Sequence, residues 1–216
     1  MSATGHPRGM SALLAKSSTG NYFIWRQAVS NLLLRMLNRR AAGASPERVI
    51  DSLGVSEGDI VADIGSGGGY YSLAFGRRVG ETGRVYAIDT EEQNLAYVKQ
   101  QAEEQAIHSI ATVLSGGDEI QLPQASIDLI FTRNIVHHLS EPVAYFAALK
   151  RFLKPDGRVA VIDYRKQRGF SFVALFRHYV SEETILELME QARSERVERF
   201  DFLAGQSFNV FRPTQP

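Results

Sequence analysis

The stretch VADIGSGGGYYSLA, residues 61–74, begins as an apolar strand and breaks into glycine at positions 65, 67, 68 and 69. A short apolar run of this kind is typical of a strand buried on both faces. Glycines at its end let the backbone approach a ligand closely, and the helix that follows presents unpaired N–H groups. The stretch therefore predicts a nucleotide site, a phosphate site or only a tight turn.

Strand and helix patterns alternate on both sides of this turn. Strands are predicted at 59–65, 83–89, 109–115, 126–134 and 156–165, and helices at 70–79, 91–105, 141–153 and 181–193, with Thr90 and Ser181 as N-caps of the second and fourth of these helices. Such alternation indicates a mostly parallel sheet with helices on both faces. The closing strands, 196–202 and 207–212, are joined only by LAGQ, and so short a link permits only an antiparallel pair. We therefore expect an α/β fold with a seven-stranded, mostly parallel sheet and an antiparallel final strand.

Charge and composition exclude several classes of protein. The 216 residues contain 24 Lys plus Arg and 24 Asp plus Glu, so no net field attracts the chain to nucleic acid. The chain has no cysteine, which excludes disulfides and thiolate metal sites and fits a reducing cytoplasm. Apolar runs are too short for a membrane span, and no secretion signal is evident. We expect a cytoplasmic protein with one domain and an appendage.

The appendage is residues 1–45, and the main domain is predicted at 46–216. Within the appendage, apolar side chains recur at helical spacing over 21–40, punctuated by arginines. We expect this segment to form a lid over the site, because a strongly apolar helix face must be buried against something. Packing on the flank of the sheet and contact with a membrane surface are the alternatives.

Two acidic residues narrow the ligand class. Asp63 lies just before the glycine turn, where a carboxylate repels a pyrophosphate and attracts an amine or a cation. The dinucleotide pattern Gly-x-Gly-x-x-Gly is also incomplete, because Tyr70 stands where its third glycine would be. Asp89 ends the next strand, where a carboxylate can accept hydrogen bonds from both hydroxyls of a ribose. These features favour an adenosine that carries a cationic amino-acid tail and no phosphate.

With these motifs, the chain resembles the class I S-adenosylmethionine-dependent methyltransferases over roughly residues 46–212. VADIGSGGGYYS is similar to the first motif of the family, GRVYAIDT to its ribose strand, and LKPDGRVAVIDYR to its fifth strand. SGGDEIQLPQASIDLIFTRNIVHHL resembles the stretch that carries the adenine-side acid and the fourth strand. The resemblance implies a Rossmann-like sheet, S-adenosylmethionine as cofactor and direct methyl transfer to a small-molecule acceptor.

The same resemblance implies the cofactor-binding residues. The methionine end would lie against the turn and the start of its helix, the ribose and adenine against the second strand, and the adenine amino group against the loop after the third strand. Asn134 would line the site near the methionine tail. The full set is Asp63, Gly65, Ser66, Gly67, Gly69, Tyr70, Asp89, Thr90, Gly117, Asp118, Glu119 and Asn134.

Histidines follow the fourth strand, and His137 is the candidate general base because histidine titrates near neutrality. The alternative is that one of His137 and His138 packs under the loop and the other is exposed. Since adjacent histidines chelate poorly and the remaining histidines lie in unrelated segments, we expect no metal.

Other functions stay open. A nicotinamide-dependent oxidoreductase and a non-catalytic protein that binds the cofactor on the same fold are the alternatives to a methyltransferase. Methylation of nucleic acid is disfavoured by the balanced charge and by the sequence NIVHHL after the fourth strand.

Overall fold

The computed structural model describes residues 46–116, 120–165 and 179–214. The predicted lid helix and the boundary at residue 45 lie outside these ranges. So do Gly117, Asp118 and Glu119, whose predicted contact with adenine stays a prediction.

Helices and strands alternate as the sequence indicates. The helices are α1 (Pro46–Ser52), α2 (Tyr70–Val79), α3 (Glu92–Glu104), α4 (Pro142–Leu149) and α5 (Glu182–Gln191). The strands are β1 (Ile60–Ile64), β2 (Arg84–Asp89), β3 (Ile110–Leu114), β4 (Ile127–Arg133), β5 (Leu153–Tyr164), β6 (Ser194–Phe200) and β7 (Gln206–Pro213). Short 3-10 turns cover Val136–His138 and Lys150–Phe152.

In the described part of the chain the strands form one seven-stranded sheet in the order β3-β2-β1-β4-β5-β7-β6. Neighbouring strands from β3 to β5 run parallel, whereas β7 runs antiparallel to both β5 and β6. The prediction of a mostly parallel sheet with an antiparallel final strand is confirmed. The order reverses between β1 and β4, and in such sheets ligands bind beyond the strand ends at this point.

Two local predictions were wrong. The helix predicted at 141–153 ends at Leu149, and the chain passes through the 3-10 turn at 150–152 into β5. The N-cap of α3 is Glu91 rather than Thr90, and its side chain makes no capping bond. The Glu91 N–H donates to Oδ1 of Asp89 at 2.9 Å, which holds the residue before the helix against the end of β2.

Side chains on the two faces of the sheet form separate apolar cores. Val61 and Phe131 pack with Tyr71 and Phe75 of α2, and α1 lies on the same face. Ala62, Ile64 and Ile88 pack on the opposite face, with α4 and α5. Since side chains alternate along a strand, Asp63 points to the α2 face while its neighbour Ile64 points to the α4 face. The end of β1 therefore serves both sides of the sheet.

Candidate functional site

The glycine turn has a backbone that other residues could adopt only with strain. Gly65, Gly67 and Gly69 have φ values of 75°, 51° and 74°. A Cβ on Gly69 would lie 2.6 Å from Cγ2 of Val98, and one on Gly65 would collide with Ile135. The turn is tied to the neighbouring strand, because the N–H groups of Gly65 and Ser66 both donate to the Ile88 carbonyl at 2.9 Å. Gly65 and Gly69 are thus required by backbone conformation and by packing, and Gly67 by its backbone conformation. The predicted close approach of a ligand stays a prediction.

Asp89 connects the turn to α3. Its Oδ2 accepts from the Gly67 N–H at 2.8 Å, and its Oδ1 accepts from Glu91 N–H at 2.9 Å and from Asn94 Nδ2 at 3.1 Å. A carboxylate has about four acceptor positions, so capacity remains for a donor from a ligand. Asn94 was not predicted from the sequence; its position in the first turn of α3, five residues after Asp89, is the signal that could have indicated it.

A cavity of about 320 Å³ opens beside Asp89 on the α4 face of the sheet. Asp89, Thr90 and Gly65 line one side, and His138, Leu139 and Tyr145 lie among the residues of the other. This volume lies at the lower end of the range found for small-ligand pockets. The apolar wall and the carboxylate at its edge suit the adenosine part of a ligand. Thr90 lines this cavity, and its contact with adenine stays a prediction.

Asp63 lies on the opposite side of the turn and is only 3% exposed. Burial raises the pKa of its carboxyl to about 7. The Ser72 hydroxyl, which donates to Oδ2 at 2.5 Å, has the opposite effect and lowers this pKa. The negative charge of Asp89 raises this pKa further, and Arg133 lowers it. A desolvated carboxyl of this kind gains most from a cationic partner.

Arg133 ends β4 on the same face of the sheet as Asp63, and Asn134 follows it directly. Asn134 has a positive φ of 56°, and its Oδ1 accepts from Gln206 Nε2 at 2.7 Å. The Gln206 Oε1 in turn accepts from Arg133 Nη2 at 3.1 Å. Sequence reasoning placed Asn134 near the methionine tail but missed Arg133 and Gln206, which lie far apart in sequence and meet only through β7.

The start of α2 completes this side of the site. Tyr71 is 5% exposed and belongs to the core, and Tyr70 packs edge-on against its ring at 5.7 Å. The Arg133 guanidinium lies 5.4 Å from the centre of the Tyr71 ring. The Tyr71 hydroxyl, Ser66 Oγ and Arg133 Nε are buried without a hydrogen-bond partner in the described part of the chain. Buried polar atoms without a protein partner at the end of a strand-to-helix turn fit a ligand that supplies their partners.

His137 and His138 take different roles. His137 Nδ1 lies 3.2 Å from Oδ1 of Asp163, which is fully buried, while His138 is exposed and lines the cavity. Asp163 also accepts from the N–H groups of Val136 and Tyr164, and burial raises its pKa to about 6. One histidine is therefore held beneath the loop and the other is exposed. The predicted catalytic role of His137 stays a prediction.

A family model described as a methyltransferase domain matches residues 62–161, the span from β1 to the middle of β5. A solved structure of a SAM-dependent methyltransferase from Aquifex aeolicus is 28% identical, with a TM-score of 0.75 over 84% of this chain and 96% of that one. The residues that the family model matches include Asp63, the glycine turn and Asp89.

Curated relatives of the chain are also methyltransferases. The ubiquinone/menaquinone biosynthesis C-methyltransferases UbiE of Hydrogenovibrio crunogenus and Paraburkholderia phymatum are each 26% identical to the chain. The alignments cover 69% and 70% of this chain, but 56% and 73% of those relatives. Together with the sheet order and the acidic residues around the glycine turn, these similarities support a class I S-adenosylmethionine-dependent methyltransferase, which is an enzyme.

Proposed function

We propose that the protein transfers a methyl group from S-adenosylmethionine to a small-molecule acceptor. The carrying observation is that two carboxylates flank one glycine turn. Asp63 is buried just before the turn, and Asp89 accepts from the Gly67 N–H within the turn and lines a cavity of about 320 Å³. Asp89 offers an acceptor for ribose hydroxyls, and Asp63 offers a charge for the cationic end of the cofactor. When bound, S-adenosylmethionine supplies an electrophilic methyl group on a sulfonium.

The chain's own contribution is mainly positioning. The glycine turn lets the backbone lie against the ligand, and the Gly67 N–H holds Asp89 in place at 2.8 Å. The apolar wall at Ile64, Ile88 and Ile135 keeps water away from the adenosine side. Holding reactants in line and excluding water account for much of the rate in reactions that need no covalent enzyme intermediate. The lid proposed for residues 1–45 would complete the enclosure.

Where the acceptor arrives protonated, we propose His137 as the base. Asp163 orients the ring by accepting at Nδ1, so Nε2 is the nitrogen that would take a proton. His137→Gln should lower turnover about 100-fold or more and leave cofactor affinity unchanged. The matched variant His138→Gln should change cofactor affinity more than turnover. Equal loss of turnover in both variants would contradict the assignment.

Calorimetry with S-adenosylmethionine, S-adenosylhomocysteine and NAD tests the cofactor. We expect binding of the first two in the micromolar range and little binding of NAD; tighter binding of NAD would favour the oxidoreductase alternative. The three glycine φ values and the acidic residues on both sides of the turn support the methyltransferase.

Turnover with a panel of acceptors tests the reaction. The curated relatives are C-methyltransferases of ubiquinone and menaquinone biosynthesis, so a reduced, demethylated quinone precursor is the first acceptor to try. Cofactor binding without turnover on any acceptor would favour the non-catalytic alternative.

The cellular setting belongs to the same proposal. None of the helices in residues 46–116, 120–165 and 179–214 is long and apolar enough to cross a membrane. We propose a cytoplasmic location from the cysteine-free composition, with no metal and no nucleic acid required. Contact of residues 21–40 with a membrane surface remains the alternative to the lid, and liposome binding by the full chain distinguishes them.

A further inference from the structure

The carboxylate of Asp89 receives most of its hydrogen bonds from the protein itself. Its Oδ1 accepts from the Glu91 N–H at 2.9 Å and from Asn94 Nδ2 at 3.1 Å, which fills both lone-pair positions of that oxygen. Its Oδ2 accepts from the Gly67 N–H at 2.8 Å, so among the residues that the structure describes one further position on Oδ2 is left. Asp89 also lines the cavity of about 320 Å³ that suits adenosine.

A ribose asks more of this carboxylate than one position. It presents two neighbouring hydroxyl groups, and a carboxylate that receives both needs one acceptor position on each of its oxygens. Oδ2 of Asp89 can receive one hydroxyl directly. Oδ1 can receive the other only when one of its present donors moves away, so the ligand and the protein compete for Oδ1.

Asn94 is the donor that can move at least cost. The Gly67 N–H belongs to the glycine turn, where φ is 51° and the preceding residues are bonded to the end of β2. The Glu91 N–H is also a backbone group, and the Glu91 carbonyl is held by the Asn94 N–H at 3.0 Å. The Asn94 amide, in contrast, lies on a half-buried side chain that can change rotamer without moving the backbone.

We propose that Asn94 determines how strongly Asp89 recognises the ribose, because its side-chain amide competes with one ribose hydroxyl for Oδ1 and turns away when that hydroxyl binds. This inference rests on the proposed function, since it concerns the nucleoside of the same ligand. Asp89 raises the affinity for the cofactor, whereas Asn94 lowers it. The hydroxyl that faces Oδ1 gains a hydrogen bond only by breaking another, so the protein discriminates weakly against a nucleoside that lacks this hydroxyl.

Asn94→Val is the test, because it removes the donor and leaves the helix propensity of the position nearly unchanged. Calorimetry should show that this variant binds S-adenosylhomocysteine roughly 2- to 12-fold more tightly than wild type, the net contribution of one hydrogen bond. Gln93→Val is the matched control, since Gln93 is an exposed neighbour in the same helical turn, and its affinity should equal that of wild type. Asn94→Ala should give the same gain if Asn94→Val folds poorly.

Analogues of S-adenosylhomocysteine with 2′-deoxyribose or 3′-deoxyribose test the competition itself. For the analogue without the hydroxyl that faces Oδ1, wild type should lose less than about threefold in affinity, whereas Asn94→Val should lose roughly 2- to 12-fold more than wild type does. The other analogue should weaken to the same extent in both proteins. Equal losses in both proteins for both analogues would overturn the inference.

Unfolding in urea gives a readout that a purely structural role would not produce. Without ligand, Asn94→Val should unfold at a lower urea concentration than wild type, because it has lost the bond to Asp89. At saturating S-adenosylhomocysteine the two midpoints should coincide, since the bond is broken in both complexes. A lower midpoint of the variant under both conditions would overturn the inference.

Weaker binding of S-adenosylhomocysteine to Asn94→Val would overturn the inference as well, and would show that the amide holds Asp89 in place or binds the ribose itself. Equal affinities of this variant and wild type would also overturn it. If the wild-type protein binds neither S-adenosylhomocysteine nor its analogues, the proposed function fails first and this inference with it.

Discussion

Replacement of Asp63 by Asn should separate the stability of the fold from its affinity for the cofactor. Burial raises the pKa of this carboxyl from 3.8 to about 7, so the folded state holds the proton more tightly than the unfolded chain does. For a carboxyl with a raised pKa, stability is fully present below about pH 4 and falls as the pH rises toward 7. At 1.36 kcal/mol per pKa unit, the complete loss is about 4 kcal/mol.

As the pH rises from about 5 to about 8, the ionisation of Asp63 lowers the unfolding free energy of the wild-type protein by about 3 kcal/mol. The Asp63→Asn variant should be spared this loss, because its amide does not titrate and its oxygen can still accept from the Ser72 hydroxyl. The cost of burying the amide N–H groups is similar at both pH values and cancels from the comparison. Urea unfolding at both pH values measures this difference.

Asp63→Asn should weaken cofactor binding, although it removes the pH-dependent loss of stability. At about pH 8 the variant should bind S-adenosylhomocysteine roughly 10- to 150-fold more weakly, the loss of one charge-assisted interaction. Ser72→Ala is the control, since it removes the hydroxyl that lowers the Asp63 pKa and should move the pH-dependent loss of stability to higher pH. Parallel pH profiles of wild type and Asp63→Asn would refute the reasoning, because they would show that Asp63 titrates alike in both states.

Three further predictions concern other parts of the chain. Asp89→Ala should weaken S-adenosylhomocysteine binding by roughly 10- to 150-fold in calorimetry while the protein stays folded, because Asp89 lies half-exposed at a strand end; wild-type affinity would show that the ribose lies elsewhere. Ser181→Ala should lower the unfolding free energy by about 1 kcal/mol without changing cofactor affinity, because its side chain accepts from the Thr184 N–H at the start of α5; an unchanged midpoint in urea would contradict this. Deletion of residues 1–40 tests the lid and should leave cofactor affinity within a few-fold while it abolishes turnover. A lower melting temperature together with weaker cofactor binding would favour packing of this segment on the flank of the sheet. Loss of liposome binding alone would favour contact with a membrane.

Local patterns predicted most of the fold. The change from strand to helix periodicity around residue 65 and the short LAGQ link each constrain the chain over a few residues, so the sheet and its antiparallel strand could be deduced. The ends of elements were less predictable. A Thr before an acidic turn is a common N-cap pattern, but here the helix begins one residue later, after Glu91, whose N–H donates to the Asp89 carboxylate.

The polar site could be predicted only where its residues lie at strand ends. Asp63 and Asp89 follow directly from the strands that carry them. The link from Arg133 to Gln206 depends on how β7 pairs with β5, a register that neither strand's composition determines. The contact of His137 with Asp163 likewise requires the loop after β4 to fold over the end of β5.

Ile135 connects two features of the site, since it lines the adenosine cavity and also occupies the space that a side chain at Gly65 would need. Shortening it to Ala would enlarge the cavity without touching a polar group. A cofactor analogue enlarged on its nucleoside and carrying an isotope-labelled methyl group would then be a substrate for the altered enzyme and too large for unaltered methyltransferases. In a cell extract, the labelled product would reveal the natural acceptor of this enzyme directly.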